Sequence, residues 1–173
     1  MNNIHPTLQN VLSSRLKILN LSYNNLTHTD FLSSCKSLEF LNLSNNRLKF
    51  LPTIGNCIKL KEIYISYNRL TELPNFFGLD DMTIISASFN QINSLENIAN
   101  LTLNRKLHIL DLTGNPTTKR ANYQSIMKNI LPQLKAIDVG GEVCFYFVHC
   151  KLIFPIRVSQ NSSLIKIFVS LHL

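Results

Sequence analysis

Five asparagines, Asn24, Asn46, Asn68, Asn90 and Asn115, return along the chain, the first four at intervals of 22 residues. A hydroxyl residue stands two places ahead of each: Ser22, Ser44, Ser66, Ser88 and Thr113. A carboxamide offers two donors and an acceptor, and a hydroxyl is the raw material of a nucleophile. Nucleophilic chemistry, however, needs one hydroxyl beside one base, and a hydroxyl repeated in every copy has no singular partner. The histidines His5, His28, His108, His149 and His172 are scattered. Only His108 falls in a strand-like segment, and a base without a nucleophile or oxyanion donors is not a catalytic site. Cys35, Cys57, Cys144 and Cys150 show neither CxxC nor zinc-ligand spacing, and His149 between the last two is better read as the polar tip of an apolar strand. Phosphate loops of the GxGxxG or GxxxxGK[ST] kind do not occur in a chain with 5 glycines. No enzyme activity, cofactor or metal is therefore expected.

The elements that carry these residues follow from the repeat itself. "LKILNLSYNNL" from Leu16, "LEFLNLSNNRL" from Leu38, "LKEIYISYNRL" from Leu60 and "MTIISASFNQI" from Met82 share the template L-x-x-L-x-L-x-x-N-x-L. A fifth copy, "LHILDLTGNPT" from Leu107, comes three residues late and has Thr117 in the last apolar place. Apolar residues such as Leu19 and Leu21 alternate with polar ones, which is strand periodicity. Later apolar residues (Leu48, Leu51, Ile54; Leu70, Leu73, Phe76; Ile92, Leu95, Ile98) recur every three places, as short 3₁₀ turns present them. One copy cannot bury both sides, whereas stacked copies form a continuous apolar column beside a parallel sheet. The asparagine then sits where the chain leaves the strand and backbone groups lose their ladder partners, so the five read as a structural ladder. Cys35 and Cys57 fall in a column expected to continue through Leu79 and Leu101, as small buried thiols.

These five copies resemble the leucine-rich repeat family, and the 22-residue step is similar to its class typified by a regulatory subunit of protein phosphatase 1. The resemblance implies an α/β solenoid: a right-handed superhelix with a parallel concave β-sheet and short 3₁₀ or irregular convex turns. "GNPTTKRANYQSIMKNILPQLKAIDV" resembles the C-terminal cap of this class at Asn115, Pro116, Tyr123, Leu131, Pro132, Leu134, Ile137 and Asp138. Within it Tyr123, Ile126, Met127 and Ile130 form one apolar stripe at helical spacing. The expected organisation is a partial repeat over 1–15, five repeats over 16–115, a cap over 116–139 and an apolar tail over 140–173.

Both ends depart from this plan. Asn2 and Ile4 stand 22 residues before Asn24 and Leu26, so the chain is expected to begin inside an earlier copy, as truncation or a start codon assigned too late would leave it. After Gly140-Gly141 comes "EVCFYFVHCKLIFPIRV", open to three readings: strands packed on the array, a membrane-associated tail, or sequence never selected to fold. His149, Lys151, Pro155 and Arg157 interrupt it, and no apolar run reaches the roughly 18 residues of a membrane helix.

The net charge of +7 favours acidic partners, but with 16% charged residues and no long block of one sign it is a weak argument for nucleic acid. The opening "MNNIHPTLQN" has neither a basic start nor an apolar core, so a reducing, cytoplasmic location is expected, with nucleus or cilium compatible. That location also argues against glycosylation at Asn20, Asn25, Asn42, Asn100 and Asn161. Stacked copies make function legible in columns. Tyr23, Tyr67 and Phe89 share the eighth place, Arg47 and Arg69 the tenth, while Phe40 and Tyr64 occupy the third and fifth. Aromatic residues and arginines on a concave sheet have the composition of a binding hot spot, so these seven are the expected contact residues. A protein partner for a monomeric adaptor or regulatory subunit is the leading expectation, with nucleic acid and membrane set aside. The resemblance implies roles such as phosphatase regulation, dynein association or ribonucleoprotein scaffolding. The alternative is an RNA-associated scaffold using the basic edge Arg105, Lys106, Lys119, Arg120 and Lys128.

Overall fold

A computed structural model describes residues 16–52, 54–139, 154–158 and 165–170. The expected partial repeat over 1–15 and the group Cys144, His149 and Cys150 lie outside them. Each copy of the template contributes one three-residue strand: β1 (Ile18–Asn20), β2 (Phe40–Asn42), β3 (Glu62–Tyr64), β4 (Ile84–Ser86) and β5 (Ile109–Asp111). A shorter β6 (Ala136–Ile137) follows the last copy. All neighbours among these six pair in parallel, and the register is the repeat step itself, with Leu19 opposite Leu41, Leu41 opposite Ile63, Ile63 opposite Ile85 and Ile85 opposite Leu110. Because equivalent residues face one another, apolar places fall into rows. Leu16, Leu19, Leu21 and Leu26, with their counterparts in later coils, are almost completely buried in one core. Each leucine removed from water contributes about 2 kcal/mol, and only the neighbouring coil can cover it.

The outer side of each coil is closed by short turns: 3₁₀ segments at Asp30–Ser34, Ile54–Asn56, Asn100–Leu103 and Pro116–Lys119, and a single α turn, α1 (Glu96–Ala99). The extra residues before the fifth copy are taken up by α1 and the 3₁₀ turn behind it. This shifts one expected column. Leu38, Leu60 and Met82 donate their N–H to the carbonyls of Cys35, Cys57 and Leu79, and Leu107 donates to Asn104, so Asn104 rather than Leu101 occupies the cysteine column. Chemistry is kept in the exchange: Cys57 Sγ donates to the Leu32 carbonyl of the preceding coil at 3.7 Å, and Asn104 Nδ2 to that of Phe76 at 3.2 Å.

Helix α2 (Tyr123–Ile130) buries Tyr123 and Met127 against the last coil, with Ile130 packed on the same core. At the opposite edge β7 (Phe154–Val158) and β8 (Ile165–Ser170) form an antiparallel pair, and β8 runs antiparallel to β1 with Leu19 opposite Val169. These two strands are the described part of the tail. Among the described residues no helix is long and apolar enough to cross a membrane.

The asparagines bind coil to coil. Asn68 Nδ2 donates to the Leu43 carbonyl of the coil before at 3.0 Å and to Ile65 in its own coil at 3.1 Å, while its Oδ1 accepts the Leu48 N–H at 3.0 Å. Asn46 and Asn90 repeat this pattern, and Asn115 does so from Ala87, Leu112 and Ile92. Truncation to Ala strands several buried groups of two coils at once. Asn68→Ala is expected to cost at least about 1–3 kcal/mol, read as a lower urea midpoint at unchanged slope.

Candidate functional site

Beyond each strand the chain turns through the eighth template position, and that residue is left-handed in every copy: Tyr23 (φ 57°), Asn45 (59°), Tyr67 (56°), Phe89 (53°) and Gly114 (76°). Inter-coil hydrogen bonds hold the turn, the N–H of Tyr23, Asn45, Tyr67 and Phe89 donating to the carbonyls of Ser44, Ser66, Ser88 and Thr113 at 2.7–2.9 Å. A left-handed backbone costs a residue with a Cβ about 1–2 kcal/mol, and only Gly, Asn or Asp adopt it routinely. Tyr and Phe here are held against their preference. The consequence is spatial, because the side chains leave the sheet and line its rim one above the other.

Tyr67 and Phe89 stack at 4.6 Å between centroids with 15° between planes. The far face of Phe89 lies over Gly114, where an added Cβ would stand 2.6 Å from a ring carbon. Both faces of Phe89 thus have a neighbour, and the residue remains 40% exposed. Tyr23 and Tyr67 are exposed by 68% and 50%. Arg47 and Arg69, two residues past this column, are exposed, and their backbone N–H groups bond to Leu26 and Leu48 one coil back.

The sheet face itself differs from the expectation. Phe40 and Tyr64 are buried, 7% and 0% exposed, in a second apolar cluster with Ile18 and Ile84. Their rings meet at 5.3 Å, and Tyr64 Oη donates to Glu62 at 3.2 Å. Ile109 packs against the same cluster, and the polar residues of this face, Asn42 and Ser86, are buried with it. The seven expected contact residues therefore divide. Tyr23, Tyr67, Phe89, Arg47 and Arg69 form one exposed strip along the rim, not on the concave face, and Phe40 and Tyr64 belong to the interior.

The repeated hydroxyls are occupied. Asn20 Oδ1 accepts the N–H and the hydroxyl of Ser22 at 3.0 and 2.7 Å, and Asn42 and Asp111 accept the N–H groups of Ser44 and Thr113. Where the third and fourth copies carry Tyr64 and Ser86 instead, Ser66 bridges by hydroxyl to Ser86 and to Ser88 at 2.9 Å. At the other margin of the sheet, Lys17 and Lys61 hold Glu39 at 3.4 and 2.7 Å, and Lys106 holds Asp81 at 2.6 Å. The Lys61 hydrogen bond keeps the Glu39 carboxyl below its ordinary range. These exposed pairs add little stability, but they draw acidic groups to the margin opposite the strip. In the basic edge, Lys106 is thus engaged, and Arg120 donates to the Asn93 carbonyl.

A cleft of about 420 Å³ lies between the last coil and α2, lined by Gly114, Thr118, Arg120, Tyr123 and Asp138 among others. Asp138 is left-handed (φ 53°) and its Oδ1 accepts the Leu112 N–H at 2.8 Å, the bond that a neighbouring strand carbonyl accepts in earlier coils. Burial, reinforced by the nearby Asp111 charge, raises the Asp138 carboxyl above its ordinary value, although the Leu112 N–H pulls the other way. Tyr123 Oη is buried in the same corner without a well-formed hydrogen bond. Among the described residues no group of three metal-ligating side chains comes together.

Residues 15–36 match the model of the leucine-rich repeat and residues 36–78 that of leucine-rich repeats in two copies. The chain carries leucine-rich repeats. Solved structures agree in fold. An internalin of Listeria monocytogenes superposes with a TM-score of 0.63 at 23% identity, over 78% of this chain and 37% of that one. A chain of the Drosophila melanogaster SNF/U2A' complex does so at 0.64 and 21%, over 87% and 88%. A leucine-rich repeat protein of Leptospira interrogans gives 0.61 and 24%, over 77% and 39%. This chain thus spans well under half the length of the internalin and of the Leptospira protein. No curated protein matches it. At these identities the likeness is that of the leucine-rich repeat solenoid.

Sequence reasoning found the rim residues but not the left-handed turn that displays them. The signal was there: Asn45 and Gly114 in the same column are the residue types that visit this conformation. Gly114→Ala is expected to cost at least about 1–2 kcal/mol, and a double-mutant cycle with Phe89→Ala should recover the part due to the ring. Asp138 gives a pH test. With its folded value raised, the group costs nothing where both states are protonated, and its penalty grows as pH rises from the ordinary 3.8 through the folded value. Relative to Asp138→Asn, the parent should lose stability as pH rises above the ordinary carboxylate value, measured by urea unfolding at each pH.

Proposed function

We propose that this chain is a non-enzymatic interaction module, an adaptor or regulatory subunit, that grips a protein partner along the rim strip Tyr23, Tyr67, Phe89, Arg47 and Arg69. The observation that carries the reading is the presence of large aromatic rings, exposed, at backbone positions where they are strained. The fold would be served as well or better there by Gly or Asn, and strain of this kind collects at functional sites. Exposed aromatics flanked by arginine have the make-up of hot-spot residues. The serine hydroxyls, by contrast, are tied into the stack, which leaves a catalytic reading without support. Cys35 and Cys57 are buried free thiols that desolvation pushes up to about 11 and about 12, in keeping with work in a reducing compartment.

The RNA alternative at the basic edge is weaker, because Lys106 and Arg120 already have partners within the fold. Phosphatase regulation, dynein association and ribonucleoprotein scaffolding are all roles that a rim strip of this kind would serve. The test is affinity capture of the tagged full chain from its native cells, comparing the parent with Tyr67→Ser/Phe89→Ser by quantitative mass spectrometry. At about 2 kcal/mol for a hot-spot residue, recovery of the true partner should fall at least tenfold while thermal unfolding of the variant stays cooperative. Equal recovery of every partner would overturn the assignment.

A further inference from the structure

Building on the protein-binding reading, we propose that the rim strip takes an acidic, extended polypeptide segment, with its carboxylates on Arg47 and Arg69 and its apolar side chains against the aromatic ladder. The ring geometry argues first. Phe89 has one face on Tyr67 and the other on the Gly114 backbone, so this ring offers its edge to a ligand. Aromatic edges carry the positive side of the ring quadrupole and the faces the negative side. Edges therefore tolerate a carboxylate nearby, whereas single-stranded nucleic acid is held by stacking its bases on open faces. The buried face of Phe89 and the shared face of Tyr67 are not available for that.

Charge argues second. Arg47 and Arg69 occupy the same place in successive coils, both exposed, and neither guanidinium has an ion pair among the described residues. Coils spaced like strands, about 4.8 Å apart, put the two forks within reach of carboxylates on alternate residues of an extended chain, about 7 Å apart. Glu39 and Asp81 are held by lysines at the opposite margin, Asp111 is buried and Glu62 accepts the Tyr64 hydroxyl, so none of these four acids pairs with either arginine. From Tyr23 to Phe89 the strip crosses three coil steps, about 15 Å, the length of four or five extended residues.

The probe is a fluorescein-labelled peptide of about eight residues, alternating Glu and Leu, with Gln-for-Glu and Lys-for-Glu versions and an oligouridine of similar length, read by fluorescence anisotropy on the full chain at about 150 mM salt. The acidic peptide should bind at least about tenfold more tightly than the Gln version and weaken as salt is raised. Arg47→Gln/Arg69→Gln should bring it down to the Gln level with the melting temperature unchanged, and Tyr67→Ser/Phe89→Ser should weaken both peptides. Equal binding of the Gln peptide, full binding by the double arginine variant, tighter binding of oligouridine, or binding of no peptide would each overturn the proposal. If the acidic preference fails while Tyr67→Ser/Phe89→Ser still strips a partner in the capture experiment, only the partner chemistry is wrong. Failure of both removes the protein-binding reading as well.

Discussion

Everything in this molecule rests on one constraint: when a strand of three residues ends, its backbone groups must still find partners inside a stack that excludes water. The ninth-position carboxamides meet it by donating to carbonyls in their own and the preceding coil while accepting an N–H from that same preceding coil. A buried polar group without a partner costs about 1–3 kcal/mol, so each asparagine fixes the distance and phase between two coils. Leucine burial supplies the drive to stack, and it would tolerate sliding. The carboxamide bonds do not, and they are why equivalent residues meet in register.

From that register follows the display of the rim strip. Held in phase, the coils leave the sheet through a left-handed residue, and the side chains of Tyr23, Asn45, Tyr67 and Phe89 line up outside it. The ladder ends where Gly114 gives way beneath the Phe89 ring. Alignment also turns the opposite margin into a row of alternating charge, with Glu39 shared between Lys17 and Lys61. Stability and display are therefore the same geometry seen from two sides.

A stack has two ends, and both are handled by breaking the repeat. At the far end β6 is too short to supply a carbonyl to Leu112, and the Asp138 carboxylate takes its place. Helix α2 covers the last leucines. At the near end β8 pairs with β1 in the antiparallel sense, which covers the edge of β1 and makes β7 the outer strand.

The sequence alone determined the repeat, its register, the rows of core residues under the template and the structural place of the asparagines, because a period of 22 with fixed apolar places admits only neighbours of the same kind as cover. It also named the residues that became the rim strip. Tertiary structure decided what spacing cannot express. Column counting placed Phe40 and Tyr64 in the open, yet their rings find each other across adjacent strands. It put Leu101 where Asn104 sits, since a three-residue insertion leaves open which turn absorbs it. Exposure and backbone handedness are properties of the assembled stack: a tyrosine at the eighth place reads like any other tyrosine until the coils on either side fix its φ angle and leave its side chain no room within the sheet.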